Sequence, residues 1–256
     1  VNISLNKMIR TNKISKSFGG VKAVDNVSVT FYDNKITGLI GPNGAGKTTL
    51  FNIINGFLKP DEGEVYLNDL RIDHLYPYQI AQLGIGRMFQ DTRVLGKMTV
   101  LENVLLASKR QTGENPWKLF FLKHKVKKEE AIIKEEAIKW LKFVGLEDKI
   151  NTYAENLSYG QQKLLTLARL LTAGSNILLL DEPTAGVDPG MIPIILNLLR
   201  NLVDEGKTII LIEHNMTVVL EICDWVYFMD EGKIVCWGLP LEVLADQKVK
   251  EAYLGL

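Results

Sequence analysis

Apolar residues fall along this chain in two rhythms. In the first part, short apolar and β-branched runs at Met8–Ile14, Val27–Tyr32, Ile36–Ile40 and Glu64–Leu67 predict strands. Turn chemistry separates them, at Asp33-Asn34 and at Lys59-Pro60-Asp61-Glu62-Gly63. The middle, from about Leu95 to Tyr153, is rich in lysine and glutamate. There Lys128–Val144 sets Ile133, Ala137, Leu141 and Val144 on one stripe, the spacing of an amphipathic helix. In the last part the short runs return. Ile177–Leu180 and Thr208–Ile212 predict buried strands with a helix, Met191–Val203, between them. Trp225–Met229 and Lys233–Trp237 predict a hairpin across Asp230-Glu231-Gly232. Strands alternating with helices predict an α/β core of mainly parallel sheet, with the middle segment inserted as a helical lobe.

Composition narrows the function classes. The chain has 256 residues, enough for a substantial core. Its 30 basic and 30 acidic residues cancel, where a dedicated nucleic-acid binder would carry a basic excess. Cys223 and Cys236 have no metal-ligand spacing, which suggests two reduced thiols in an intracellular protein. No apolar run is long enough to cross a bilayer, and Val1–Arg10 has no leader-like segment. Any membrane role is therefore expected to come through a partner. No internal repeat or low-complexity stretch appears.

The candidate chemistry starts at Gly41-Pro42-Asn43-Gly44-Ala45-Gly46-Lys47-Thr48, the phosphate-loop pattern G-x-x-x-x-G-K-[ST]. A predicted strand precedes it. A helical pattern follows it, with Leu50, Ile53, Ile54 and Phe57 on one face. The glycines let the backbone wrap closely around a polyphosphate, and the first N–H groups of the helix point at the anion. Lys47 brings a positive charge near the β- and γ-phosphates, and the Thr48 hydroxyl is suited to Mg²⁺. Asn43, Gly44, Ala45, Gly46 and Thr49 complete the expected nucleotide-binding stretch.

Further along, Ile177-Leu178-Leu179-Leu180 runs into Asp181-Glu182. A strand buried on both faces that ends in carboxylates is how an α/β fold presents acids to a ligand. Asp181 is expected to hold Mg²⁺ and Glu182 to polarise an attacking water. Leu157-Ser158-Tyr159-Gly160-Gln161-Gln162 leads into a helix with Leu164, Leu167, Ala168 and Leu171 on one face, and Ser158 is a good N-cap.

These motifs, in this order, resemble the ATP-binding subunits of ABC transporters over nearly the whole chain. The resemblance implies that Phe18 stacks on adenine and that Gln90, in Met88-Phe89-Gln90, is the Q-loop glutamine, a catalytic residue and a metal ligand. It makes Leu157–Gln161 the signature motif, with Ser158, Gly160 and Gln161 contacting nucleotide. Asp181 and Glu182 match the Walker B pair, Ala185-Gly186-Val187-Asp188 the D-loop, and His214 the switch histidine. It implies one ABC ATPase domain over 1–256: a P-loop core with an antiparallel β subdomain at 1–91 and 161–256, and a helical signature lobe at 92–160. The cofactors implied are ATP and Mg²⁺. The partners implied are a second ATPase subunit in a head-to-tail dimer, membrane permease subunits and, indirectly, a substrate-binding protein. Nucleic acid is not among them. The protein would sit in the cytoplasm, peripheral on the inner face of the cell membrane.

One position departs from the family's usual two glycines: Tyr159 replaces the first and should keep a negative φ. Within the family the chain is most similar to branched-chain amino-acid importer subunits. The features that carry this are the signature tyrosine, Gly86–Gln90, Met98–Val104, the closing Ala252-Tyr253-Leu254-Gly255, and the segment Ser108–Lys128 with Trp117, Phe120 and Phe121. That segment reads equally as a peripheral loop packing its own aromatics. Lipopolysaccharide-export ATPases and soluble non-transport ABC ATPases stay open as alternatives. A kinase would leave the signature motif unexplained.

Overall fold

The computed structural model of the chain describes residues 8–109 and 123–254. Trp117, Phe120, Phe121 and Gly255 lie outside the described residues. The chain divides into two compact units. The first holds the chain up to Arg87, with Asn176–Pro183 and everything from Leu199 onward. The second holds Met88–Ser175 and Thr184–Leu198.

The first unit is built on two sheets. A six-stranded sheet runs in the order β11 (Lys233–Gly238), β10 (Trp225–Asp230), β4 (Ile36–Ile40), β9 (Thr208–Ile212), β8 (Ile177–Asp181) and β7 (Ile85–Met88). β10, β4, β9 and β8 are parallel neighbours, and β11 folds back on β10 as the expected hairpin. Every residue of β4, β8 and β9 is buried, as an apolar run covered on both faces requires. Leu39 and Asp181 both pair with Ile212. The ends of three adjacent strands therefore meet at one edge, and the loops after them carry the candidate chemistry.

The second sheet is antiparallel, with β1 (Ile9–Phe18) between β2 (Val21–Val27) and β5 (Glu62–Leu67), β6 (Leu70–Arg71) beyond β5, and β3 (Thr30–Phe31) also on β1. The expected strand over Val27–Tyr32 is broken: β2 stops at Val27 and only Thr30–Phe31 resumes pairing. The apolar pattern does not announce β2 itself, because its residues are mostly part-exposed and its pairing with β1 is bulged.

Helix α1 (Lys47–Ile54) buries Leu50, Phe51, Ile53 and Ile54 in the core. Phe57, which its spacing places on that face, lies beyond the helix end and is largely exposed. α2 (Pro77–Gln82) belongs to the same unit.

The second unit is helical. α3 (Val100–Leu105), α4 (Lys123–Phe143) and α5 (Tyr159–Thr172) pack on one another. Ile133, Ala137, Leu141 and Val144 are all buried, as their stripe predicts. The expected boundary at 160/161 falls inside α5, a continuous helix that belongs wholly to this unit. Asn103 is fully buried in Met98–Val104. Its side chain accepts from Leu95 N and donates to carbonyls of Leu95, Met98 and Thr99, while Thr99 and Glu102 form a capping box. That motif is therefore a loop clamp and a helix start. α6 (Ile192–Asp204) crosses from the second unit into the first, which closes with α7 (Met216–Ile222), α8 (Pro240–Ala245) and α9 (Gln247–Leu254). Among the described residues no helix is long and apolar enough to cross a membrane.

Candidate nucleotide site

The phosphate loop lies between β4 and α1, as its sequence context predicts. Two of its glycines are required by the loop's own packing. A Cβ on Gly41 would collide with the Met229 carbonyl at the end of β10, and one on Gly46 with the Ala23 carbonyl. Both residues also have positive φ. Gly44 faces open space. Close backbone approach therefore serves the fold at two glycines and leaves the third facing outward. Asn43, Gly44 and Thr48 are exposed, Gly46 and Thr49 half-buried, and Ala45 and Lys47 buried. Lys47 donates 2.8 Å bonds to the carbonyls of Gly41 and Pro42. Burial pulls its ammonium pKa down, while the Glu182 and Asp181 carboxylates oppose that shift.

β8 delivers Asp181 and Glu182 to the same edge. Asp181 is buried and pairs at 3.1 Å with Arg87, itself buried on β7. Arg87 also donates to Asn52 of α1 and lies 5.7 Å over the Phe51 ring. Burial raises the Asp181 pKa and Glu182 adds to that, while Arg87 and Lys47 pull it back. In the sequence Arg87 stands out only as part of a motif. Its place in the site becomes visible only when β7 and β8 pair.

Glu182 has a left-handed backbone, φ 48°, uncommon for a residue with a Cβ. Its N–H donates 3.0 Å to the Ile212 carbonyl, which secures that conformation against β9. His214, two residues beyond β9, brings Nε2 to 3.2 Å from Glu182 Oε1. Phe18 ends β1, is 47% exposed, and lies 5.8 Å beneath the Lys16 ammonium.

The remaining expected residues lie in the second unit. Ser158 caps α5 through a full capping box: Gln161 N donates 3.3 Å to its hydroxyl, and its own N–H donates 3.0 Å to Gln161 Oε1. Gly160 is buried, and a Cβ there would press on Met191 Sδ at 2.8 Å and Val187 at 3.1 Å. Tyr159 is absent from the residues with positive φ, as expected. Asp188 caps a short turn by accepting 2.8 Å from Gly190 N. Gln90 follows β7, and its carbonyl accepts a 3.0 Å bond from the Tyr159 hydroxyl.

The donor set suits a metal held together with phosphates. Among the described residues no three His, Cys, Asp or Glu groups cluster as a metal cage. One exposed hydroxyl at Thr48 and one carboxylate at Asp181 match Mg²⁺, which keeps waters and substrate oxygens in its shell.

Residues 24–185 match the sequence profile of the family described as ABC transporter. The chain is 41% identical over 253 residues to a protein of Methanocaldococcus jannaschii named probable branched-chain amino acid transport ATP-binding protein LivG, covering 97% of this chain and 98% of that one. It is similar to a crystal structure of the ADP conformation of an ATP-binding cassette of an ABC transporter, with TM-score 0.84, 39% identity and coverage of 98% and 99%. It is also similar to a dimeric post-hydrolysis cassette bound to ADP and Pi, with TM-score 0.74, 26% identity and coverage of 91% and 98%. The phosphate loop, the acid pair at the end of β8 and the capped signature helix thus occur in a chain whose likeness to such cassettes spans almost its full length. The chain belongs to the ABC transporter family, as one of its ATP-binding, ATP-hydrolysing subunits.

Proposed function

We propose that this subunit energises the uptake of branched-chain amino acids by an ABC importer. The observation that carries the substrate class is the archaeal relative's name, at that identity and over that coverage. Within the site, Lys47, the loop amides and the first amides of α1 bind the polyphosphate. Thr48 and Asp181 would hold Mg²⁺, which spreads charge over the phosphate oxygens. Glu182 takes a proton from the attacking water, and His214, at 3.2 Å, holds that carboxylate in place. Phe18 offers an exposed ring for adenine.

Ser158, Gly160 and Gln161, with Asp188 of the D-loop, would meet nucleotide held by a second cassette, an arrangement the dimeric relative supports. Closure on ATP and reopening after hydrolysis then drive the permeases. The segment 89–98 offers them an apolar surface: Leu95 is exposed and Phe89, Val94 and Met98 are half-exposed, while Val100 and Val104 belong to the core. Such docking would place the protein on the inner face of the membrane, with a substrate-binding protein as an indirect partner.

The test is uptake into proteoliposomes holding this subunit with its permeases and binding protein. Leucine, isoleucine or valine should stimulate ATP hydrolysis and accumulate inside. Leu95→Glu should keep basal hydrolysis and lose uptake. Stimulation by an unrelated solute, with none by these three, would end the substrate assignment. Loss of basal hydrolysis in Leu95→Glu would end the docking assignment.

A further inference from the structure

Tyr159 stands where the family's usual signature has a glycine, and the catalytic scheme gives it no task. Its surroundings do. Its hydroxyl donates 3.0 Å to the backbone carbonyl of Gln90. Its ring covers Gly186 of the D-loop, where a Cβ would stand 3.1 Å from ring Cε1. Gly186 has φ 70°, a conformation glycine adopts without strain. Lys163 Nζ sits 5.2 Å over the same ring.

Two further bonds extend the tie. Thr92 Oγ1 donates 2.8 Å to Gln162 Oε1, and Arg169 Nη1 donates 2.7 Å to the Arg93 carbonyl. Positions 159, 162 and 169 fall on one stripe of α5 at 3.6 residues per turn. The Gln90–Arg93 segment is therefore fastened along the signature helix, and Tyr159 is the fastening nearest Ser158. A glycine there would reach neither Gln90 nor Gly186. A phenylalanine would cover Gly186 but could not hold Gln90.

We propose that Tyr159 is a positioning residue that links the Q-loop backbone, the first turn of the signature helix and the D-loop glycine, so that a displacement of Gln90 moves Ser158 and Gly160 with it. The bond is to the Gln90 carbonyl and does not use the glutamine side chain. The inference rests on the cassette assignment and not on the transported substrate.

The experiment compares Tyr159→Phe and Tyr159→Gly with the wild-type protein, whose MgATP hydrolysis is the reference. The readouts are kcat, KM for ATP, the unfolding midpoint and hydrogen exchange of the Gln90–Arg93 amides. Tyr159→Phe removes one neutral hydrogen bond, so kcat should fall about threefold to tenfold with KM unchanged. Exchange at Gln90–Arg93 should rise while the unfolding midpoint holds. Tyr159→Gly should lower kcat further. Wild-type kcat and exchange in Tyr159→Phe would overturn the proposal. So would kcat, KM and midpoint moving together in both variants, the pattern of a residue that only supports the fold.

Discussion

The candidate residues of the two units are held by different means. In the first unit both acids stand at the end of β8, a strand buried on both faces, and the groups behind them are buried too: Arg87 on Asp181, the Ile212 carbonyl on Glu182 N–H. In the second unit the Q-loop, signature and D-loop are held mostly by exposed or half-exposed side chains reaching backbone, as Tyr159 reaches Gln90 and Arg169 reaches Arg93. Groups that must face a reacting phosphate gain from a fixed backbone, since proximity and orientation are where rate comes from. Groups proposed to engage and release nucleotide on a second cassette would gain from ties that can open at low cost. The contrast is one of buried against exposed support.

Three perturbations probe that contrast, and the largest concerns Glu182. Glu182→Gln keeps the shape and removes the proposed base, so turnover should fall about a hundredfold to ten-thousandfold. ATP should still bind, and sedimentation with ATP should find a dimer that no longer reopens. A species that stays monomeric well above the ATP affinity would break the two-cassette scheme.

Next comes a matched pair of cuts, one in each half. Arg87→Ala strands a buried carboxylate and should cost about 3–5 kcal/mol in urea unfolding. Thr92→Val cuts a part-buried tie and should cost about 1 kcal/mol. Equal losses would erase the distinction between the halves. The Arg87→Ala deficit also has a sign in pH. Burial already raises the Asp181 pKa and Arg87 lowers it, so removing Arg87 raises it further. A carboxylate with a raised folded pKa favours the fold below its unfolded pKa and loses that contribution as pH climbs through the folded one. The deficit should therefore shrink as pH falls.

The smallest effect reports on the rigid half alone. Cys223 packs on β4, where a Cβ at Gly38 would stand 3.0 Å from its sulfur. Burial, helped by Asp224 and Glu213, pushes its thiol pKa from 9.0 up to about 12. Its contribution to stability is thus complete below about pH 9 and fades as pH rises toward 12. A thiol reagent at pH 8 should label half-buried Cys236 first and Cys223 only on unfolding. Early labelling of Cys223 would mean that the cover over β4 opens.

Much of the rigid half is legible in the sequence for the reason that makes it rigid. β4, β8 and β9 are short runs dominated by Ile and Leu, with Thr37 and Gly38 the interior exceptions in β4, and their length and flanking residues mark them as strands covered on both faces. The phosphate loop carries its own spacing. β2 is not legible because its residues are mostly part-exposed, and β7 because Gly86 and Arg87 interrupt its apolar pattern. Arg87 reads as a polar residue in a motif, since its partner Asp181 is 94 positions away. Phe57 keeps the helical spacing after the helix has ended at Ile54. In the second unit the capped start of α5 is legible from Ser158, whereas the Tyr159–Gln90 and Arg169–Arg93 bonds join positions 69 and 76 residues apart that no periodicity connects.

Glu182 shows what the site asks of the fold. A residue with a side chain held at φ 48° costs of order 1 kcal/mol or more, a strain that glycine avoids. Glycine in its place would relieve that strain, offset by its larger loss of backbone freedom on folding, and would delete the carboxylate to which catalysis is assigned. At this one residue the backbone is shaped for glycine and the chemistry excludes it, so Glu182→Gly should fold about as firmly as the wild type in urea unfolding and lose hydrolysis.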